Sequence, residues 1–367
     1  MLSLFQFILK VKPKKSQVET REAIGGMSMI ELLVGTVIAF LIITPLMGFV
    51  LGLLNDDSRE SAKATTEQEL QSALDFIAED LSQAIYVYDN TGVTELKKTQ
   101  LPTTGDPILV FWKRQIMRES IPLDSTKDPK DCDNSDTTKY CNDSYVLSLV
   151  AYYLVDTDPN SVWCQPGGKN CPKQIIRYQV HNGLKDPTGS GVNGLYADAR
   201  LKESQKKRAA FNSLFDFSFS TPNVNVTSGA ANFDPPPPPP PVPPAPAPPA
   251  LPKTEPQVLV NYIDSTVASA DNKLLLGANQ CRQALGIKDA DTKPTEDTLR
   301  IPTPKSTTTN SFYACVDSAK KVVQINLRGN ALRRIQQDDA VYKPERRSYF
   351  PTASVTIRGI GGPAPSK

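Results

Sequence analysis

Hydrophobic and polar positions divide the chain into successive regimes. From Leu32 to Leu54 there are 23 residues without a charge, most of them apolar. A helix rises about 1.5 Å per residue, so this run reaches about 35 Å, more than the ~30 Å hydrocarbon core of a bilayer. Beyond it, Leu70, Leu74, Ile77, Leu81 and Ile85 recur every three or four residues, which is one face of an amphipathic helix. The stretch SRESAKATTEQELQSALDFIAEDLSQAIYVYD contains no proline or glycine before Gly92. The two patterns are continuous and predict one helix from Met27 to about Tyr86, roughly 90 Å long. Pro45 lies inside it, where proline removes a ladder hydrogen bond and favours a kink.

After Gly92 the pattern changes to alternating or β-branched and aromatic runs: PILVFWK (107–113), YVLSLVAYYLV (145–155), QIIRYQV (174–180), SLFDFSFS (213–220), PQVLVNYI (256–263), KVVQINLRG (321–329) and ASVTIRG (353–359). These read as strands with turn-forming residues between them. One long helix followed by strands predicts an α+β domain. Between two strands lies DPPPPPPPVPPAPAPPALP (234–252), in which 13 of the 18 residues from Pro235 to Pro252 are proline. Such a tract cannot lie within a central strand and reads as a polyproline II spacer, about 55 Å if fully extended. It is expected as an insertion, and a docking site for an aromatic groove is the functional alternative.

Charge gives the topology. The formal net charge is +2, with no nucleic-acid footprint. Residues 1–26 differ: Lys10, Lys12, Lys14, Lys15 and Arg21 outnumber Glu19 and Glu22. Lys and Arg are enriched on cytoplasmic flanks, so the N-terminus is expected inside and the remainder exported. Six cysteines, an even number, agree with a disulfide-forming compartment. Cys132 and Cys141 are nine apart, Cys164 and Cys171 seven, Cys281 and Cys315 thirty-four. Six cysteines allow 15 pairings. The sequential one is favoured because the first four lie in short polar loops that close easily. Zinc needs tighter spacing and usually histidine, and His181 is the only histidine. Asp128, Asp131, Asp133 and Asp136 cluster in DPKDCDNSD, a weak calcium candidate. The EF-hand pattern fails there, since no glycine holds its sixth place and Asn142 stands where a glutamate belongs. A solvated acidic loop is the expected reading, with no cofactor.

Glu31 is the feature that a plain anchor leaves unexplained. A carboxylate costs roughly 2.5–3.5 kcal/mol at the centre of a membrane helix, less near its end, and is a functional candidate by default. A secretory signal peptide fits poorly, because the apolar run is too long and no Ala-x-Ala-like site follows it. The small pair, Gly25 and Gly26, lies on the near side.

The segment GGMSMIELLVG resembles the class III signal of type IV pilins and type II secretion pseudopilins. In that family a prepilin peptidase cuts after a glycine on the cytoplasmic face, the new N-terminus is methylated, and the fifth residue after the cut is glutamate. The resemblance implies a cut between Gly26 and Met27, N-methylation of Met27, and an assembly role for Glu31. Ser28 is the small hydroxyl residue of the pattern; Met27 departs from the more usual Phe. The cut exposes a positive amine, and a buried carboxylate is tolerable opposite such a charge. In the family that pair is thought to form between neighbouring subunits. Pilin stalks often carry a proline near the position of Pro45.

The order of elements resembles the larger minor pilins and pseudopilins of the J and W types. In those, a long helix with an RDL-Q-A-like segment, here EDLSQA (79–84), leads into a two-sheet β head and a short V-x-x-R strand. The long basic leader and the proline tract also resemble the C-type pseudopilins of hormogonium polysaccharide secretion in filamentous cyanobacteria. The expected organisation is a leader (1–26), the transmembrane half of the stalk helix (27–54), its amphipathic half (55–90), an antiparallel β-rich head in two parts (91–233 and 256–367), and the proline insertion (234–255).

No phosphate loop, G-x-S-x-G or H-E-x-x-H occurs, so the chain reads as a peptidase substrate, not a catalyst. The resemblance implies prepilin peptidase, other pilins bound through the N-terminal helix, and an inner-membrane assembly platform as partners. It places the chain in the inner membrane and then in a periplasmic or surface filament for secretion or motility. The rival reading is a single-span receptor or adhesin with a disulfide-bonded head.

Overall fold

The computed structural model describes residues 28–99, 101–102, 104–132, 140–164, 170–181, 183–188, 194–202, 205, 256–288, 294–303, 308–336 and 338–358. The leader, Gly26, Met27, Asp133, Asp136, the expected strand 213–220 and the proline tract lie outside the described residues. The chain divides into two units, Met1–Asp57 and Ser58–Lys367. Helix α1 (Met29–Ser82) contributes to both.

In the first unit the described residues are α1 and the Ser28 that precedes it. Every side chain from Met29 to Leu54 is exposed, large apolar ones such as Leu33, Phe40 and Phe49 included. The helix is long and apolar enough to cross a membrane. Pro45 sits inside it without dividing it into two elements.

In the second unit the same helix becomes one-sided. Leu70, Ala73, Leu74, Ile77 and Leu81 are buried, at the spacing that puts them on one face. The helix stops at Ser82, short of the expected Tyr86. Ala84–Val87 form strand β1 instead, with Tyr86 opposite Trp112 and Val87 opposite Phe111. Ile85, which fits the helical stripe, is exposed on that strand. Three β-branched or aromatic residues in a row, with an open sheet edge beside them, outweigh the helical periodicity. Gly92 does not end a helix but lies within α2 (Asn90–Thr99), which Asp89 starts: its carboxylate accepts the Gly92 N–H at 2.9 Å.

The remaining strands form two antiparallel sheets. Sheet one is a meander in the order β1, β2 (Asp106–Pro122), β3 (Cys141–Asp156), β4 (Lys173–His181), β5 (Gln257–Ile263). Sheet two runs β6 (Arg300–Ile301), β7 (Phe312–Asp317), β8 (Val322–Arg328), β9 (Thr352–Arg358). The architecture is thus a mixture of helix and antiparallel sheet. Six of the seven expected strands correspond to β2, β3, β4, β5, β8 and β9. β7 escapes sequence reading because both its faces are buried, which erases the alternation. One face meets the main core; the other is covered by Leu285, Ile287 and Leu299, carried by the segment around helices α3 (Gln280–Ala284) and α4 (Glu296–Leu299).

A single core joins α1, both sheets and α2. Its largest fully buried side chains include Trp112, Tyr152, Tyr153, Phe111 and Phe312. The sheets also meet at the β5 end, where Asp264 N–H donates to the Arg328 carbonyl (3.1 Å) and Asn330 N–H to that of Tyr262 (2.8 Å). Just beyond β8, Gly329 lies against α1: a Cβ there would stand 2.6 Å from Thr66 Cγ2 and 3.1 Å from Leu70 Cδ1. Gly329→Ala is therefore expected to destabilise the fold by about 1–3 kcal/mol through overpacking. A denaturant midpoint unchanged in that variant would show that the helix does not seat against the end of β8.

Candidate functional site: the long helix and its buried carboxylate

The start of α1 is built by Ser28. Its carbonyl accepts the N–H groups of Glu31 (3.0 Å) and Leu32 (3.2 Å), and its hydroxyl accepts the Glu31 N–H at 3.3 Å. Ser28 is thus the cap and Glu31 the third helical residue, a Ser-x-x-Glu start that satisfies otherwise free donors. An acidic residue in the first turn also complements the helix dipole. Sequence reading used Ser28 only as a small hydroxyl residue and missed this local role, although the spacing announces it. Glu31 itself is exposed. Within the apolar run, Thr36 and Thr44 return their hydroxyls to the carbonyls of Leu33 (2.9 Å) and Phe40 (2.8 Å), so neither polar group is left without a partner in apolar surroundings.

The other end of α1 is held by a charge that sequence reading had placed only inside EDLSQA. Asp80 is buried, and its Oδ1 accepts from Lys113 Nζ at 2.7 Å. Its Oδ2 accepts from Arg177 Nε at 2.7 Å and from the Tyr152 hydroxyl at 2.6 Å. β2, β3 and β4 each supply one donor, so the carboxylate ties the helix to three strands at once. The network continues from Arg177 to Gln179 (2.5 Å), from Gln179 to Gln115 (2.5 Å) and from Ser148 to Gln115 (2.8 Å). Burial pushes the Asp80 carboxyl up, but the bonds from Arg177, Lys113 and Tyr152 outweigh it and hold it below the ordinary carboxylate range. Burial pushes the Tyr152 hydroxyl up as well, and the Asp80 charge adds to the effect.

A second buried pair lies where the sheets meet. Asp264 Oδ2 accepts from Arg328 Nε at 2.8 Å, while Oδ1 accepts from the Thr266 N–H (3.0 Å) and hydroxyl (2.7 Å). Arg328 also donates to the Thr309 carbonyl at 2.7 Å. Here burial raises the Asp264 carboxyl despite the Arg328 charge.

The two acids respond oppositely to pH. Asp80 titrates lower in the fold than when unfolded, so its pairs contribute fully above about pH 4 and lose their contribution as pH falls through the lowered value. Asp264 titrates higher in the fold, so it favours folding on the acid side, and that contribution fades as pH rises through the raised value. Asp80→Asn is expected to flatten the loss of stability below about pH 4, and Asp264→Asn to remove the gain in stability that acidification from the raised value down to about pH 4 otherwise brings. Fluorescence of Trp112, which is buried with its Nε1 donating to the Tyr88 hydroxyl at 2.9 Å, follows unfolding at each pH. Parallel acid limbs in all three proteins would refute both assignments.

The remaining candidates fall in loops. Disulfides join Cys132 to Cys141, Cys164 to Cys171 and Cys281 to Cys315, the sequential pairing. The first two close the β2–β3 and β3–β4 connections; the third fixes α3 to β7. In the acidic loop Asp128 is engaged by Arg200 Nε (2.7 Å) and Lys130 (3.3 Å), and the hydrogen bond from Arg200 holds its carboxyl below the ordinary range. Asp131 accepts the Asp128 N–H at 3.2 Å. Both carboxylates are thus committed to protein partners. Among the described residues no group of three or more His, Cys, Asp or Glu side chains is arranged to hold a metal. No family model, no curated protein and no solved structure matches this chain.

Proposed function

We propose that this chain is a minor pilin or pseudopilin of the J/W kind, made in the inner membrane as a prepilin. It is cut after Gly26 by prepilin peptidase, methylated on Met27, and assembled through the apolar half of α1 into a type IV pilus-like or type II secretion-like filament. The observation that carries the reading is the coincidence of the GGMSMIE signal with the start of α1. The helix begins two residues past the expected cut, places Glu31 in its first turn, and then presents apolar side chains on all sides to Leu54. A helix apolar all round needs lipid or other helices about it. Glu31 then pairs with the amine of the neighbouring subunit as helices leave the bilayer. Secretion of a polysaccharide and support of gliding motility are the activities that the hormogonium-type resemblance brings.

The test is the mass of the N-terminal peptide of membrane-extracted protein, with and without the prepilin peptidase. A peptide beginning at N-methylated Met27, formed only with the peptidase, is the expected result. A chain that keeps the leader in both samples would leave a single-span receptor or adhesin in its place.

A further inference from the structure

The Ser58–Lys367 unit carries two uncompensated strips of opposite charge. One lies on the outer half of β2. Side chains alternate across a strand, and Lys113 faces α1 through its bond to Asp80, so Arg114 and Ile116 face away from the helix. Arg114, Ile116 and Arg118 are all exposed. Tyr145, directly opposite Ile116 on β3, shares their face and is half exposed, with the Arg114 guanidinium 3.6 Å from its ring centre. Among the described residues neither Arg114 nor Arg118 forms an ion pair. The second strip is on α1. Glu67, Gln71, Asp75 and Glu79 follow one another at four-residue intervals, all exposed, on the side turned from the sheet. Among the described residues none of these three carboxylates has a cationic partner; Asp75 accepts only from Gln71, at 3.4 Å.

We propose that the Arg114–Ile116–Arg118 strip, with Tyr145, docks on the Glu67–Asp75–Glu79 stripe of a second copy of this chain. The spacings agree. Four residues of strand set the two arginines about 14 Å apart. Glu67 and Asp75 stand about 12 Å apart along the helix, and Glu67 and Glu79 about 18 Å. The strips lie on opposite faces of sheet one, so they cannot neutralise each other within one molecule. A contact between unlike faces is heterologous: it joins copies head to tail, into a ring or an open series, rather than as a two-fold dimer. Ile116 and the Tyr145 ring supply the apolar centre, with charges at the rim that set register and orientation. The proposal rests on the filament reading only in that a filament holds such copies side by side.

The experiment places p-benzoylphenylalanine at Ile116 in the full chain and irradiates cell membranes. The expected adduct joins two copies and maps to the tryptic peptide 64–97, which carries the acidic stripe. Arg114→Glu with Arg118→Glu in the labelled copy reduces the adduct at least tenfold. Glu67→Arg, Asp75→Arg and Glu79→Arg in the other copy restore it. An adduct to another region, to a different protein or to a non-protein polymer overturns the proposal, as does no adduct. The N-terminal mass is read on the same sample. A processed Met27 without the adduct sinks the docking and spares the filament reading; an unprocessed chain with the adduct does the reverse.

Discussion

Asp80→Ala lowers the stability of the Ser58–Lys367 unit by about 3–5 kcal/mol, the usual effect of breaking a buried ion pair from one side. The size follows from what remains. Lys113 and Arg177 are both buried and would keep their charges without the carboxylate that satisfies them, and the Tyr152 hydroxyl would lose its acceptor. Each such orphan carries a desolvation penalty. Chemical denaturation of detergent-solubilised full chain, followed by Trp fluorescence, measures the change. A loss below about 1 kcal/mol would mean that water reaches the network and screens it, as at an exposed pair. A second variant separates charge from packing. Asp80→Leu combined with Lys113→Met and Arg177→Met removes all three charges together and is expected to be far more stable than Asp80→Ala alone. If it is not, the network's contribution is geometric and its charges matter little.

Gly26→Ala is expected to leave the chain at its full length, because the peptidase of the proposed family requires the glycine before the cut. Immunoblots for the head then show one slow band and no processed form. Glu31→Ala separates the later step. Ser28 still caps α1 through its own carbonyl and hydroxyl, and the apolar run is untouched, so membrane insertion persists. On the proposed assembly role, filament incorporation is expected to fall by an order of magnitude or more, since the carboxylate proposed to meet the neighbouring amine is gone. Retained incorporation of Glu31→Ala would reduce Glu31 to a capping residue, a role worth about 1 kcal/mol in the first helical turn. A shortened band in Gly26→Ala would place the cut elsewhere.

Two local features show where sequence periodicity misleads. Residues 81–87 continue the helical stripe through Ile85, yet the chain leaves the helix after Ser82. The edge of β2 offers Ala84, Tyr86 and Val87 a ladder that the isolated segment cannot announce. Likewise FYACVD reads as no recognisable pattern, because Cys315 and Tyr313 are covered by a segment some thirty residues earlier in the chain.

The sequence by itself determined the long helix, its apolar first half, its amphipathic second half, six strands and the closure of the short cysteine loops. Each of these rests on contacts or solvent preferences that repeat within a few residues, and such periodicities survive in one dimension. Only the tertiary structure decided that Asp80 is the residue that seats the helix, that Gly329 must lack a side chain, and that Arg114 and Asp75 face opposite ways. Those outcomes depend on partners far away in sequence: Asp80 and Arg177 are 97 residues apart, and Thr66 and Arg334 are 268 apart. An aspartate on an amphipathic helix looks like solvated surface until three strands bring a lysine, a tyrosine and an arginine to it.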